Sequence, residues 1–207
     1  SLIPSELNAK NKRFILKKLN EKLKFSRYEN SFLWLKEAGV ALPVYNVEAP
    51  VVPLKLSQSR NLFKLFQNDV GLLASQYDGR IQLQLLTDGK NINFGAIYEN
   101  AVAQELHAHG FDLFYFNSKK QGELDFVIEK NGEVMPLEVK SGKDYQRHNA
   151  LTNVMGNREY AIREAIVLSN ANVRQSGKVL YLPVYMTAFL TKKIPDNIVF
   201  TIDLSGM

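Results

Sequence analysis

The sequence predicts a mixed α/β fold in two parts, and two observations support this prediction. From residue 94 onward, apolar residues alternate between helical and strand spacing in the order α-β-β-β-α-β-β-α. Asn131-Gly132 separates two runs of alternating character, which is the strongest short-range signal of a β-hairpin. In the first half, two helical patterns precede extended segments, as in a winged helix. We therefore expect a winged-helix-like basic domain over 1–90 and a sheet flanked by helices over 91–207.

The composition is that of a globular protein without disulfides. The 207 residues suffice for one large domain or two small ones, and no apolar run is long enough to span a bilayer. The sequence does not begin with a signal-peptide pattern. Because the chain has no cysteine, disulfides and thiolate metal sites are excluded. This is compatible with a reducing cytoplasm, where we expect the protein to act.

Positive charge is concentrated in the first half of the chain. Residues 1–94 carry 14 Lys/Arg and 8 Asp/Glu, a net charge of +6, whereas residues 95–207 carry 12 and 13. A basic half beside a carboxylate-bearing half suggests a polyanionic partner, which we expect to be DNA. On charge alone, a solvated basic surface is an equal alternative.

The first half should contain two helices, short extended segments and a short helix, at residues 5–24, 28–38, 43–47, 54–56, 62–66 and 70–75. In the second helix, Phe32, Leu33, Trp34 and Leu35 should be mostly core. That helix carries no arginine, so packing or partner docking is a better interpretation than base-specific DNA readout. Residues 82–86 read as a strand or a helix, and the polar segment 87–93 marks the expected domain boundary.

The second half should contain a helix, three strands, a helix, two strands and a last helix, at residues 94–109, 111–116, 123–130, 133–140, 150–155, 164–169, 178–182 and 183–190. If Asn131-Gly132 is the whole hairpin loop, Asp125 faces Glu138 and Lys140 faces Glu123. Like charges directly opposite each other cost up to about 1 kcal/mol. A divalent cation or the adjacent lysine would offset this repulsion.

These residue types suit metal-assisted attack on a phosphodiester. Asp125 and Glu138 offer hard oxygen ligands for Mg²⁺ or Mn²⁺, and the metal would lower the pKa of a bound water. Lys140 could position that water or neutralise charge in the transition state. Glu99 could complete the ligand set, with a solvent-facing helix glutamate as the alternative. A second alternative is a solvated sheet face on which Lys140 pairs with Glu123 or with both carboxylates.

The constellation of Glu99, Asp125 and Glu138-Val139-Lys140 resembles the PD-(D/E)XK nuclease core. The resemblance implies an α-β-β-β-α-β core over residues 94–169, catalytic roles for Asp125, Glu138 and Lys140, and metal binding by Glu99, Asp125 and Glu138. Leu124 stands where the name-giving proline would be. Four basic residues near the hairpin mouth are candidate phosphate contacts, with plain surface charge an equal alternative: Lys119, Lys120, Lys143 and Arg147.

More closely, YENAVAQEL, GELDFVI and PLEVKSGK resemble an uncharacterised C-terminal domain of bacterial AAA-type ATPases. Upstream, IPSELNAKNKRF, YENSFLWLKEAGV and NDVGLL resemble the winged-helix region that precedes it. The resemblance implies that an ATPase module belongs to the same protein. The G-x-x-x-x-G-K-[ST] phosphate loop is absent from these residues, so we expect no ATP hydrolysis by this chain alone. An inactive nuclease fold that binds nucleic acid or protein is the alternative function.

Overall fold

A computed structural model describes residues 29–87 and 94–192, so the helix predicted at residues 5–24 lies outside the described residues. The described helices are α1 Glu29–Glu37, α2 Val70–Ala74, α3 Gly79–Leu86, α4 Gly95–Ala108 and α5 Asn149–Gly156. The strands are β1 Ala41–Val47, β2 Gln58–Gln67, β3 Phe114–Ser118, β4 Gly122–Lys130, β5 Glu133–Val139, β6 Ala165–Ser169, β7 Arg174–Ser176 and β8 Val179–Pro183. Among these helices, none has the length and apolar character needed to cross a membrane.

The eight described strands form one mixed sheet in the order β2-β1-β3-β4-β5-β6-β8-β7. Strands β3, β4 and β5 form an antiparallel meander, and β5, β6 and β8 run parallel to one another. Helix α5 lies between β5 and β6 in the chain, as the connection between parallel neighbours requires. Strand β5 therefore pairs antiparallel with β4 on one side and parallel with β6 on the other.

The mixed α/β class and the α-β-β-β-α-β order expected for residues 94–169 are confirmed. Residues 82–86 are helical, within α3. The last predicted helix is a 3₁₀ helix, Val184–Phe189, in which the Thr187 hydroxyl donates to the Val184 carbonyl. Strand β7 was not predicted, because its three residues are all exposed and carry no apolar alternation.

Strands β1 and β2 join the same sheet as the second half of the chain. Strand β1 pairs with β2 antiparallel and with β3 parallel, with Tyr45 opposite Phe114. The predicted division into 1–90 and 91–207 separates strands that the structure joins. The pairing of β1 with β3 spans about seventy residues of sequence, so no local pattern announces it.

The sheet is strongly curled. Strands β2 and β4 are three positions apart, and in a flat sheet they would be separated by about 14 Å. Yet the rings of Phe66 on β2 and Phe126 on β4 lie 5.5 Å apart. The β1–β2 pairing also shifts register between Tyr45 and Asn46, where β2 has extra residues between Ser59 and Phe63. Side chains on the concave face can therefore meet across the intervening strands.

Apolar side chains cover both faces of the sheet. Helix α4 packs on the concave face through Val102, Ala103 and Leu106, in a cluster that includes Phe126 and Leu137. Helix α5 packs on the other face, in a cluster that includes Leu124 and Val167. The close approach of α5 requires Gly122, where an added Cβ would lie 2.9 Å from the Ala150 Cβ. The site residues thus lie between two packed helices.

Helix α1 buries fewer of its apolar side chains than the sequence predicted. Phe32 is buried with its ring 5.1 Å from that of Phe63. Leu33 and Trp34, both expected to be mostly core, are 45% and 68% exposed within the described part of the chain. The reason is geometric, since a nine-residue helix on a sheet edge turns one stripe inward and adjacent positions point elsewhere.

Replacing Asn100 with alanine should destabilise the fold, because its side chain ties α4 to β2. Asn100 accepts from the Gln67 N–H at 2.8 Å and donates to the Gln67 carbonyl at 3.0 Å, and both residues are buried. Asn100→Ala leaves both backbone groups without these bonds, which should cost about 2–5 kcal/mol in urea unfolding. Asn153→Ala removes one exposed bond to the Gln121 carbonyl and should cost under about 0.5 kcal/mol. Equal losses in the two variants would contradict this role.

Candidate functional site

The β4–β5 hairpin has the register predicted from its turn. Lys130 faces Glu133 and Val127 faces Pro136, in an unbroken ladder that ends at the pair Phe126–Leu137. Asn131 and Gly132 both have positive φ, 54° and 77°, as a type I′ turn requires. Asp125 and Glu138 follow immediately after the last ladder pair. The sequence therefore located the two carboxylates correctly on neighbouring strands.

The two strands separate at Asp125. Its Oδ2 accepts a hydrogen bond from the Val139 backbone N–H at 2.9 Å, in place of a β4 carbonyl. Beyond this point β5 continues along β6, and the Lys140 N–H donates to the Leu168 carbonyl at 2.8 Å. The β3–β4 register also shifts here, between Phe114 and Phe116. Asp125 thus closes the end of the ladder, with its carboxylate held by backbone.

Lys140 pairs with Glu138. Its Nζ lies 2.7 Å from Glu138 Oε1, and the glutamate is buried while the lysine side chain is 28% exposed. The predicted opposition of Lys140 and Glu123 is not formed, because β5 has left β4 by this position. Glu123 instead accepts from the Asn117 side chain and binds another lysine. The glutamate–lysine pair predicted to carry the chemistry is therefore in direct contact.

Glu99 and Glu138 lie on opposite sides of the sheet. Glu99 is 2% exposed on the buried side of α4, which covers the concave face. Leu137 and Val139 also face that cluster, so strand alternation directs Glu138 to the α5 side, beside its β6 neighbour Val167. Within residues 29–87 and 94–192, no three Asp, Glu, His or Cys side chains are grouped to hold a metal ion. The structure does not bring the three predicted ligands together.

A two-carboxylate site fits the donor set better than a three-carboxylate one. Asp125 and Glu138 are buried on neighbouring strands and have hard oxygen atoms, and Mg²⁺ commonly takes one or two carboxylates and keeps several waters. Metal binding by these two residues, and by Glu99, stays a prediction.

Lys64 is the functional candidate that sequence reasoning missed. Its side chain is fully buried, and its Nζ lies 2.8 Å from Glu123 Oε1 and 4.0 Å from Asp125 Oδ1. The Tyr115 ring centroid is 5.0 Å from the same atom. A local signal existed, since a lysine between Phe63 and Leu65 in an apolar strand needs a partner if it is buried. The curl of the sheet, which brings Glu123 and Asp125 to Lys64, could not be predicted from the sequence.

The four candidate phosphate contacts are exposed and lie at one end of the sheet. Lys119 and Lys120 are in the turn before β4, and Lys143 and Arg147 are in the segment after β5. Because β4 and β5 are antiparallel, the start of β4 and the end of β5 lie at the same end of the strands. Asp125 and Glu138 also lie toward that end. Contact with phosphate by these side chains stays a prediction.

Asp125→Ala should destabilise the protein more than Asp125→Asn. Alanine leaves the buried Val139 N–H without its 2.9 Å acceptor, at a cost of about 1–3 kcal/mol, whereas the asparagine Oδ1 can still accept. Urea unfolding of the two variants measures the difference. If asparagine costs as much as alanine, the hydrogen bond to Val139 is not what fixes Asp125.

The comparisons with known proteins concern the second half of the chain. No curated protein and no solved structure matches the sequence. One protein-family model matches part of the sequence. The matched region begins at the start of α4 and ends within the last 3₁₀ helix. It includes Glu99, Asp125, Glu138 and Lys140 but not Lys64. The family description gives no activity. Residues 94–186 match the family model of DUF4143, a domain of unknown function.

Proposed function

We propose that this chain is a metal-dependent phosphodiesterase domain acting on DNA, with a PD-(D/E)XK nuclease-like core over residues 94–169. One observation carries the proposal. Two buried carboxylates, Asp125 and Glu138, lie on neighbouring strands where β4 and β5 separate, and Lys140 Nζ lies 2.7 Å from Glu138 Oε1. Buried like charges on neighbouring strands are costly unless a cation accompanies them. Such an arrangement is typical of a site that binds a metal ion.

Each residue has a separate role in this proposal. Asp125 and Glu138 would hold Mg²⁺ or Mn²⁺, which supplies an activated water and stabilises charge on the phosphate. The Val139 N–H fixes the Asp125 carboxylate in advance, so little reorganisation is needed on binding. Lys140, partly exposed and hydrogen-bonded to Glu138, can donate to a phosphate oxygen or orient the attacking water. Glu99, on the α4 side, would contribute to metal binding only where the two faces of the sheet meet, at the end of the β4–β5 pairing.

The surroundings of Lys140 have room for a nucleic-acid substrate. A cavity of about 480 Å³ begins one residue after it and is lined by Ser141, Lys143, Tyr145 and Asn170, among others. A cation, an aromatic ring and an amide are the groups that contact phosphate and bases in single-strand binding. The exposed Lys119, Lys120 and Arg147 add positive charge at the same end of the sheet. These features favour a polyanion over a neutral ligand.

The second candidate is an inactive nuclease fold that binds nucleic acid or protein within an AAA-type ATPase. It is favoured by the mutual pairing of the charges, Lys64 with Glu123 and Lys140 with Glu138. It is also favoured by the lack of a three-ligand group in the described part of the chain. In both proposals the ATPase module of the same protein is the expected partner, and both place the protein in the cytoplasm. Metal chemistry separates the two.

Wild-type protein should bind Mn²⁺ at millimolar or lower concentration, and Asp125→Asn should bind it at least tenfold more weakly. The substitution removes one of two anionic ligands while it retains an acceptor for the Val139 N–H. Calorimetric titration measures both affinities. Glu159→Gln removes an exposed carboxylate in the 3₁₀ helix Arg158–Tyr160 and should leave binding unchanged. Absence of binding to wild type at 10 mM Mn²⁺ would exclude the metal-dependent mechanism.

Wild-type protein with Mn²⁺ should nick plasmid DNA, and Lys140→Met should reduce the rate at least a hundredfold, since a positioned cation or general base typically contributes that much. Lys178→Met, at an exposed lysine just before β8, is the matched control and should retain activity. Equal nicking by wild type and Lys140→Met would indicate a contaminating nuclease. Salt-sensitive DNA binding without any cleavage would instead support the inactive module.

A further inference from the structure

We propose that Lys64 is a positioning residue of this site, whose buried ammonium group sets how strongly a divalent cation can bind at Asp125. The ammonium group occupies the position of a cation between Glu123 and Asp125. The inference deepens the proposed function and rests on it in one respect, namely that Asp125 is a metal ligand. Strand β2, which lies outside the region matched by the family model, would thereby affect metal binding at the hairpin.

The burial of Lys64 carries the first step. A charged ammonium group is rarely removed from water unless anions surround it, and this one is fully buried. Its nearest anion is Glu123 Oε1 at 2.8 Å, and Asp125 Oδ1 follows at 4.0 Å. The Tyr115 ring, 5.0 Å away, adds a cation–π contact. Two carboxylates and an aromatic ring therefore form an enclosed cation-binding environment.

The orientation of Asp125 carries the second step. One of its oxygens is engaged by the Val139 N–H and the other is directed toward Lys64. A metal ion bound to that second oxygen would lie close to the ammonium group, and the two positive charges would repel each other. Removing the lysine charge should therefore strengthen metal binding. A residue that only supported the fold would not have this effect.

The third step is what the lysine does in the wild-type protein. With Lys64 present, one of the two negative charges of Asp125 and Glu123 is balanced by the chain itself, so the fold depends less on a metal. The metal is then held more weakly than two bare carboxylates would hold it. Additional negative charge, as from a phosphodiester, would offset the repulsion and favour metal binding together with substrate. Lys64 thus couples occupancy of the metal position to the presence of a polyanion.

Lys64→Met should bind Mn²⁺ at least tenfold more tightly than wild type in calorimetry, because methionine keeps the length of the side chain and removes its charge. Mn²⁺ should also raise the melting temperature of Lys64→Met more than that of wild type. Adding Glu123→Gln to Lys64→Met should reduce the gain, since the negative charge of the carboxylate that shares Lys64 with Asp125 is lost. Lys64→Arg retains the charge and should bind Mn²⁺ within about threefold of wild type.

Equal or weaker Mn²⁺ binding by Lys64→Met would overturn the inference. If Lys64→Met is unfolded without metal, Mn²⁺ should refold it, as followed by circular dichroism; failure to refold would equally overturn it. The readout is metal binding rather than cleavage, so the two proposals fail separately. Tighter binding by Lys64→Met stands even if no DNA is cut, and loss of nicking in Lys140→Met stands even if Lys64 has no effect on Mn²⁺.

Discussion

The separation of β4 and β5 at Asp125 is the constraint on which the rest of the site depends. Up to Phe126 and Leu137 the two strands satisfy each other's backbone. Beyond them a carboxylate takes the Val139 N–H, and β5 turns to β6 for its remaining partner. A buried N–H needs an acceptor, so the Asp125 carboxylate has a structural role that does not depend on catalysis. The same hydrogen bond fixes its orientation toward the concave face.

This separation distributes the charges over the two faces of the sheet. Glu123 and Asp125 lie with Lys64 under the curl of β2, whereas Glu138 and Lys140 lie on the α5 side. Each face therefore carries anions with a lysine of its own. Buried charges of one sign would be expensive, and a lysine on each face lowers the net negative charge there. The end of the ladder is where the two groups approach each other, so chemistry that needs both must occur there.

The sequence could predict what depends on local turn chemistry and on periodicity. Asn131-Gly132 fixed the turn, the turn fixed the register, and the register located Asp125 and Glu138. It could not predict what depends on the path of the sheet. The curl that brings β2 over β4, and with it Lys64, arises from pairings between distant segments. Nor could the sequence show which face α4 covers, and this separates Glu99 from Glu138.

The curl also bears on the relation between the two halves of the chain. The family region contains the hairpin and α4, yet Lys64, whose ammonium group lies 4.0 Å from Asp125, comes from β2, about thirty residues before that region. The Asn100 side chain fixes β2 through both backbone groups of Gln67, three residues beyond Lys64. The position of the Lys64 ammonium group is therefore set by contacts between α4 and β2. A site assembled in this way needs residues from both halves, so the hairpin alone, without β1 and β2, would have a different charge balance at Asp125.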